Sequence, residues 1–266
     1  MSVRINHIAI ISHQYGMLSK FYESLFGMKP AGDSPPYASP SYGDGNIGIQ
    51  FLVRRDGYIG GLDHCGMLVS DLGQIEVRMK KFTGSNMVKR PSTRPFAAFS
   101  ANDPDGNHFD LAEDQDKSRK EIYAKGTWEQ PRTINKYAIR TMNPERIAEF
   151  YAEVFGFAPA PESGAPGSHH LTDGRVTLAI LPWSMAVFDG MAIKRPGPEH
   201  IGFKVEDMKE FKADVAKLAG ANPYLAPTPL GGSLESDVRL SLFEASATGQ
   251  YQMADPDGIW IDITGK

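Results

Sequence analysis

The chain repeats itself, and the repeat limits what it can fold into. "INHIAI" at residues 5–10 returns as "INKYAI" at 134–139, and "KFYESLFGMKPA" at 20–31 as "EFYAEVFGFAPA" at 149–160, both at an offset of 129. "HCGMLVSD" (64–71) returns as "HIGFKVED" (200–207) at an offset of 136, and "DPDGNHFDLAE" (103–113) as "DPDGIWIDITG" (255–265) at 152. Offsets that grow along the chain describe one scaffold used twice, with longer loops in the second copy. The 266 residues therefore divide into two domains of ordinary size, each long enough to bury a core.

Each half divides again. A strand-like run opens every module: "HIAII", "CGMLV", "YAI" and "IGFKV" in chain order. A helical pattern follows. In module three Asn143 and Pro144 supply an N-cap and an N1 proline, and Ile147, Phe150, Tyr151 and Val154 share one face; in module four Asp207 is the cap, and Phe211, Val215 and Leu218 form the buried stripe. Short strands around "DGNIGIQFLV", "DGRVTLAIL" and the two DPDG turns close the modules. From Asp114 to Arg132 the periodicity dissolves into a charged stretch with a proline. The expected organisation is one domain at 1–115, a linker at 116–131 and a second domain at 132–266.

Composition excludes other classes. A net charge of −4 and a pI near 6.0 offer no basic field for nucleic acid or an anionic membrane. No apolar run approaches the roughly 20 residues of a membrane span. The lone Cys65 rules out an internal disulfide framework, and "MSVRINHIAIISHQ" lacks the pattern of a signal peptide. The expected compartment is the cytoplasm and the expected partner a small-molecule substrate; a homo-oligomer is left open.

"FYxxxFG" in modules one and three, "HxGxxV" in two and four, and DPDG followed by an apolar-carboxylate-apolar triplet resemble, in this order, the vicinal oxygen chelate (VOC) superfamily: glyoxalase I, methylmalonyl-CoA epimerase, extradiol dioxygenases and bleomycin-resistance proteins. The resemblance covers nearly the whole chain. It implies an α+β fold of four βαβββ modules, paired into two cupped-sheet domains around a divalent metal. Four modules in one chain resemble the extradiol dioxygenases more than the two-module glyoxalases.

Carried over residue by residue, the resemblance implies His7, His64 and Asp110 as metal ligands, with Gln50 as a fourth candidate. Two histidines and a carboxylate suit Fe(II) first, with Mn, Zn, Ni or Co as alternatives. The equivalent slots of the second domain hold Lys136, Ala179, His200 and Asp262, and an ammonium and a methyl group cannot ligate a metal. One site per chain is expected, in the N-terminal domain. Since the fold accepts Lys and Ala in two of these slots, it does not itself demand His7 or Gln50. His200 and Asp262 persist in the second copy, so a structural role is open for His64 and Asp110. A buried carboxylate is costly unless paired; a metal would stabilise Asp110, and an inward-pointing Lys136 would stabilise Asp262.

Asp110 replaces the Glu usual at its position, which shortens the ligand arm. Glu113, three residues on, faces the opposite side of the strand. His108, two residues before Asp110 on the same face, is the candidate acid or base, and Arg94 and Tyr42 are candidate anion binders in loops bordering the cup. If Gln50 ligates, the set resembles glyoxalases and epimerases, in which the metal acts as a Lewis acid. If it does not, a dioxygenase-like enzyme is the first expectation. Extradiol enzymes carry a His and an apolar-Tyr pair ahead of the DPxG turn, and "KRPSTRPFAAFSANDPDG" has neither. A non-catalytic binding protein of the bleomycin-resistance type is the third class.

Overall fold

A computed structural model of the chain describes residues 2–30, 40–90, 97–113, 130–161, 164–185 and 195–266. Module one runs β1 (Val3–Ser12), α1 (Tyr15–Phe26), β2 (Lys29–Pro30), β3 (Ser41–Gly43) and β4 (Gly48–Val53). Module two runs β5 (Gly61–Val69), α2 (Leu72–Met79), β6 (Asn86–Lys89), β7 (Phe99–Asn102) and β8 (His108–Glu113). Module three runs β9 (Thr133–Thr141), α3 (Pro144–Phe150) with a π turn at Tyr151–Phe155, β10 (Ala158–Pro159), β11 (His169–Thr172) and β12 (Thr177–Pro182). Module four runs β13 (Gly197–Val205), α4 (Met208–Ala221), α5 (Leu234–Ser246), β14 (Tyr251–Ala254) and β15 (Trp260–Gly265).

The strands form two mixed sheets, ordered β2-β3-β4-β1-β5-β8-β7-β6 and β10-β11-β12-β9-β13-β15-β14. The fold is α+β with two VOC-like domains. Module four departs from the βαβββ pattern. The growth of the offset from 136 to 152 is not a longer loop: it holds α5, whose capping box joins Ser233 and Ser236. Among the described residues, no strand of module four corresponds to β6.

The helix starts follow from their caps. Asp71 accepts from Gln74 N at 2.9 Å, Asn143 from Arg146 N at 3.3 Å and Asp207 from Glu210 N at 2.7 Å. In module three the whole stripe Ile147, Phe150, Tyr151 and Val154 is buried. In α4 only Phe211 is deeply buried, whereas Val215 and Leu218 are half-exposed. Phe211 carries the packing, with the Arg132 guanidinium 5.2 Å from its ring centre and Tyr251 at 6.4 Å.

By packing, the chain divides into two compact units: Met1–His7, His64–Glu121 and Lys136–Pro198 in one, Ile8–Asp63, Ile122–Asn135 and Glu199–Lys266 in the other. Within the first, Phe109 of module two meets Phe155 of module three at 5.6 Å between ring centres. Within the second, Phe26 of module one stacks on Phe203 of module four at 3.8 Å. Sheets therefore join modules one with two and three with four, while these aromatic contacts join one with four and two with three. Most of the 116–131 stretch expected as a linker lies outside the described residues. Among the described residues, no helix is long and apolar enough to cross a membrane.

Candidate metal centre

The site is built on two neighbouring strands of the first unit. β5 and β8 pair in parallel with Gly66 opposite Asp110 and Cys65 opposite Phe109. Side chains alternate across a strand, so His64 and Gly66 on β5 share one face with His108 and Asp110 on β8. On the other side β7 places Ser100 opposite Asp110. The reverse face carries Cys65, Met67, Phe109 and Leu111, all buried. Burial first, then the charge of Asp110, pushes the Cys65 thiol up to about 12, which makes it a small core hydrophobe.

His7 completes the cluster from β1. Its ring lies over Gly66 so closely that a Cβ there would collide with Cε1, Nδ1 and Nε2 of the imidazole. The glycine of "HCGMLV" is thus the floor on which the first histidine rests. His7 Nδ1 faces Asn6 Oδ1 at 3.4 Å, and Nε2 faces Asp110 Oδ2 at 3.9 Å. His64 Nε2 lies 3.1 Å from the same oxygen. The two imidazoles stand edge to face, 5.7 Å between centres.

Arg90, which sequence reasoning passed over, also reaches Asp110. Its Nη1 donates to Oδ2 at 2.7 Å, and its side chain is 29% exposed against 1% for Asp110. Burial pushes the Asp110 carboxyl up, but the hydrogen bond from His64 and the charges of His64, His7 and Arg90 outweigh it and hold the group below its ordinary value. Asp110 is therefore a carboxylate at neutral pH.

The three expected ligands fit a cation. One ligand atom from each of His7, His64 and Asp110 falls within 4.8 Å of the other two, and all three residues are buried. Bonds of about 2.1 Å let a first-row divalent ion span roughly 4.2 Å, so both His–Asp distances are already inside its reach. Asp110 Oδ1 has no hydrogen bond among the described residues, leaving a buried acceptor whose neighbour is His108 Nε2 at 3.7 Å.

The other sequence candidates fall in different places. His108 stands beside the cluster: its Nε2 is 3.7 Å from Asp110 Oδ1 and 3.2 Å from Ser100 Oγ, and its side chain is 38% exposed. Gln50 is buried on β4 opposite Ser41, in the second unit. Tyr42 is not a loop residue. It lies on β3 opposite Ile49, 7% exposed, with its ring against Phe51, and so on the strand face opposite to that of Ser41 and Gln50. Arg94 lies outside the described residues. Glu113 takes the backbone N–H of Leu72 at 3.1 Å, at the start of α2.

The second copy of the motif is occupied differently. Asp262 is buried and accepts from Thr248 N, Gly249 N and Gln252 Nε2, each at 3.0–3.1 Å. These donors come from the turn before β14 and from β14 itself, and they were not foreseen. Lys136 is 1% exposed. His200 Nδ1 lies 2.9 Å from Glu199 Oε2.

The model of the Glyoxalase/Bleomycin resistance protein/Dioxygenase superfamily matches residues 4–111 and 133–263. Among solved structures the chain is similar to the Mn(II)-bound glyoxalase from Novosphingobium aromaticivorans, at 14% identity and TM-score 0.67, over 98% of this chain and 81% of that one. It is also similar to the 2,3-dioxygenase LapB from Pseudomonas sp. KL28, at 12% identity and TM-score 0.65, over 99% and 92% of the two chains. A fusion of a xylose isomerase-like TIM barrel with a 4-hydroxyphenylpyruvate dioxygenase matches at 15% identity and TM-score 0.59; 98% of this chain is covered, but it spans only 48% of the fusion's length. No curated protein matches the chain.

Proposed function

Because the chain belongs to the glyoxalase/bleomycin resistance protein/dioxygenase superfamily, we propose that its first sheet carries a divalent-metal enzyme site acting on a small substrate that chelates through two oxygens. The observation that carries this reading is the buried convergence of His7, His64 and Asp110. A bound Fe(II), or in its place Mn, Zn, Ni or Co, would supply a Lewis-acid centre with about three coordination positions left over by a facial triad. Three protein ligands favour a dioxygenase-like reaction, which needs room for a chelate and for dioxygen.

The chain's own groups have defined tasks. Gly66 and Asn6 fix the His7 ring so that Nε2 faces the cluster. His108, half-exposed, with its Nε2 3.2 Å from Ser100 Oγ and 3.7 Å from Asp110 Oδ1, is placed to take a proton from a bound substrate and pass it to solvent. The apolar reverse face keeps the strands rigid beneath these groups. A second reading is supported by the likeness to an Mn(II)-bound glyoxalase. With Gln50 as fourth ligand, two positions remain, and the site suits an oxygen-independent lyase or isomerase.

Metal analysis of protein purified with and without air tests the proposal. Fe(II) with oxygen uptake supports the dioxygenase-like reading, and activity with Ni, Co, Mn or Zn without oxygen supports the second. His7→Ala is expected to abolish metal binding and leave the circular dichroism spectrum unchanged. A chain that takes up no metal at micromolar ion would leave a ligand-binding protein of the bleomycin-resistance type.

A further inference from the structure

We propose that Arg90 is the specificity residue of this site and that it selects a substrate carrying negative charge beyond its chelating oxygens. The inference rests on the metal-centre reading above and deepens it by naming the substrate class.

The position of Arg90 is built into the sheet. It follows directly on β6, whose Lys89 pairs with Phe99, and its backbone N–H donates to Ala98 O at 2.9 Å. The ladder of the β6–β7 hairpin therefore holds the Cα, and the side chain runs from partial solvent exposure down to the buried Asp110. The guanidinium rests on Oδ2, the oxygen that His64 and His7 also face. That contact balances one carboxylate with one guanidinium.

A divalent ion upsets the balance. With two neutral imidazoles the ion contributes +2, Asp110 −1 and Arg90 +1, so the loaded site carries a net +2. Beside it Arg90 meets more positive than negative charge, in surroundings where charges are poorly screened. A guanidinium that leaves Oδ2 or shares it would have N–H groups available to a ligand held at the cluster. A planar fork of donors there matches a carboxylate or another two-oxygen anion. A neutral chelator would leave both the excess charge and the donors uncompensated. A dianionic chelator satisfies both at once: two oxygens toward the ion and anionic oxygens outward toward Arg90.

The experiment uses Co(II)-loaded full-length protein and follows the visible Co(II) spectrum during titration with two probes. Oxalate chelates and leaves two anionic oxygens facing outward, whereas tropolone chelates as a monoanion and leaves only hydrocarbon there. Wild type is expected to bind oxalate, Arg90→Gln to bind it about 10- to 100-fold more weakly, and Arg90→Lys to fall between them. Tropolone affinity is expected to stay within about twofold across the three proteins. Cobalt stoichiometry, measured separately, is expected to stay at one per chain. If the two probes weaken together in Arg90→Gln, or if neither changes, Arg90 is only a counter-ion of Asp110 and the proposal fails while the metal site stands. If wild type takes up no Co(II), the metal-centre reading fails and takes this one with it.

Discussion

At the scale of single residues the site depends on an atom that is missing. Gly66 has no Cβ, and the His7 imidazole occupies the place where one would be. Gly66→Ala must therefore push the ring aside, and in a close-packed interior that displacement typically costs about 1–3 kcal/mol. The expected result is a folded protein with a lowered melting temperature and well under one metal ion per chain. Wild-type melting together with one ion per chain by elemental analysis would overturn this account of the glycine. His7, His64 and Asp110 could be named from the sequence because the resemblance carries over residue by residue to the strand starts and the final strand of the first domain, and the structure brings their ligand atoms together. Arg90 was not legible. Its reach to Asp110 depends on the register of the β6–β7 hairpin and on a long side chain, neither of which leaves a motif. Tyr42 was misplaced for a related reason: the strand β3 is only three residues long, too short to show alternation.

At the scale of elements, the DPDG turns do more than reverse the chain. The first Asp of each folds back on its own turn: Asp103 accepts from Asp105 N and Asn107 N, and Asp255 from Asp257 N and Ile259 N, at 2.9–3.0 Å. Asp255 also accepts from the Tyr22 hydroxyl of α1 at 2.9 Å. The second Asp of each turn binds a hydroxyl at the end of a strand, Thr141 for Asp105 and Ser12 for Asp257. Burial pushes Asp103 up to about 6 and Asp255 up to about 7, against an ordinary value of 3.8. The folded state thus binds these protons more tightly than the unfolded one. Their contribution is fully present below about pH 4 and is lost as pH rises through about 6 and about 7, a change on the order of a few kcal/mol. Asp255→Asn keeps a side-chain acceptor for the turn and can donate to the Tyr22 oxygen. Urea midpoints at pH 5 and pH 8 should differ less in this variant than in wild type; an unchanged difference would show that Asp255 does not titrate in this range. The sequence displayed these turns but not the burial of their first residues; for Asp255 one partner in that buried position is Tyr22 of α1, 233 positions away in the chain. It displayed α3 well, since cap, proline and stripe agree, and α5 not at all, since a helix inserted in one copy has no counterpart to reveal it.

At the scale of the whole molecule, the sheets and the aromatic packing group the modules differently, and this bears on whether half a chain can fold. The boundary expected from the sequence at 116–131 would make 1–115 and 132–266 separable pieces. Yet Tyr22 and Phe26 of α1 pack on Phe203 of β13 at 6.0 and 3.8 Å, and Phe26 lies 5.6 Å from Phe211 of α4. Arg132, just past that boundary, donates to Leu25 O at the end of α1 and pairs with Glu206 and Asp214. On the other side Phe109 and Phe82 of module two pack on Phe150 of module three, at 6.3 and 5.2 Å. Splitting the chain would strip both helix faces of their cover and expose several large aromatics at once, each of which stabilises the fold by roughly 1.5–3 kcal/mol when buried. The fragment 1–115 holds the entire candidate site, so a modular reading expects it to bind metal by itself. The packing leads to the opposite expectation. Expressed alone, 1–115 should aggregate or show no cooperative thermal transition and no near-ultraviolet dichroism; co-expressed with 132–266 it should co-purify as a one-to-one complex that recovers both signals and the metal. A monomeric, cooperatively melting 1–115 fragment with one bound ion would mean that the contacts between modules one and four, and two and three, add little to the stability of the first sheet.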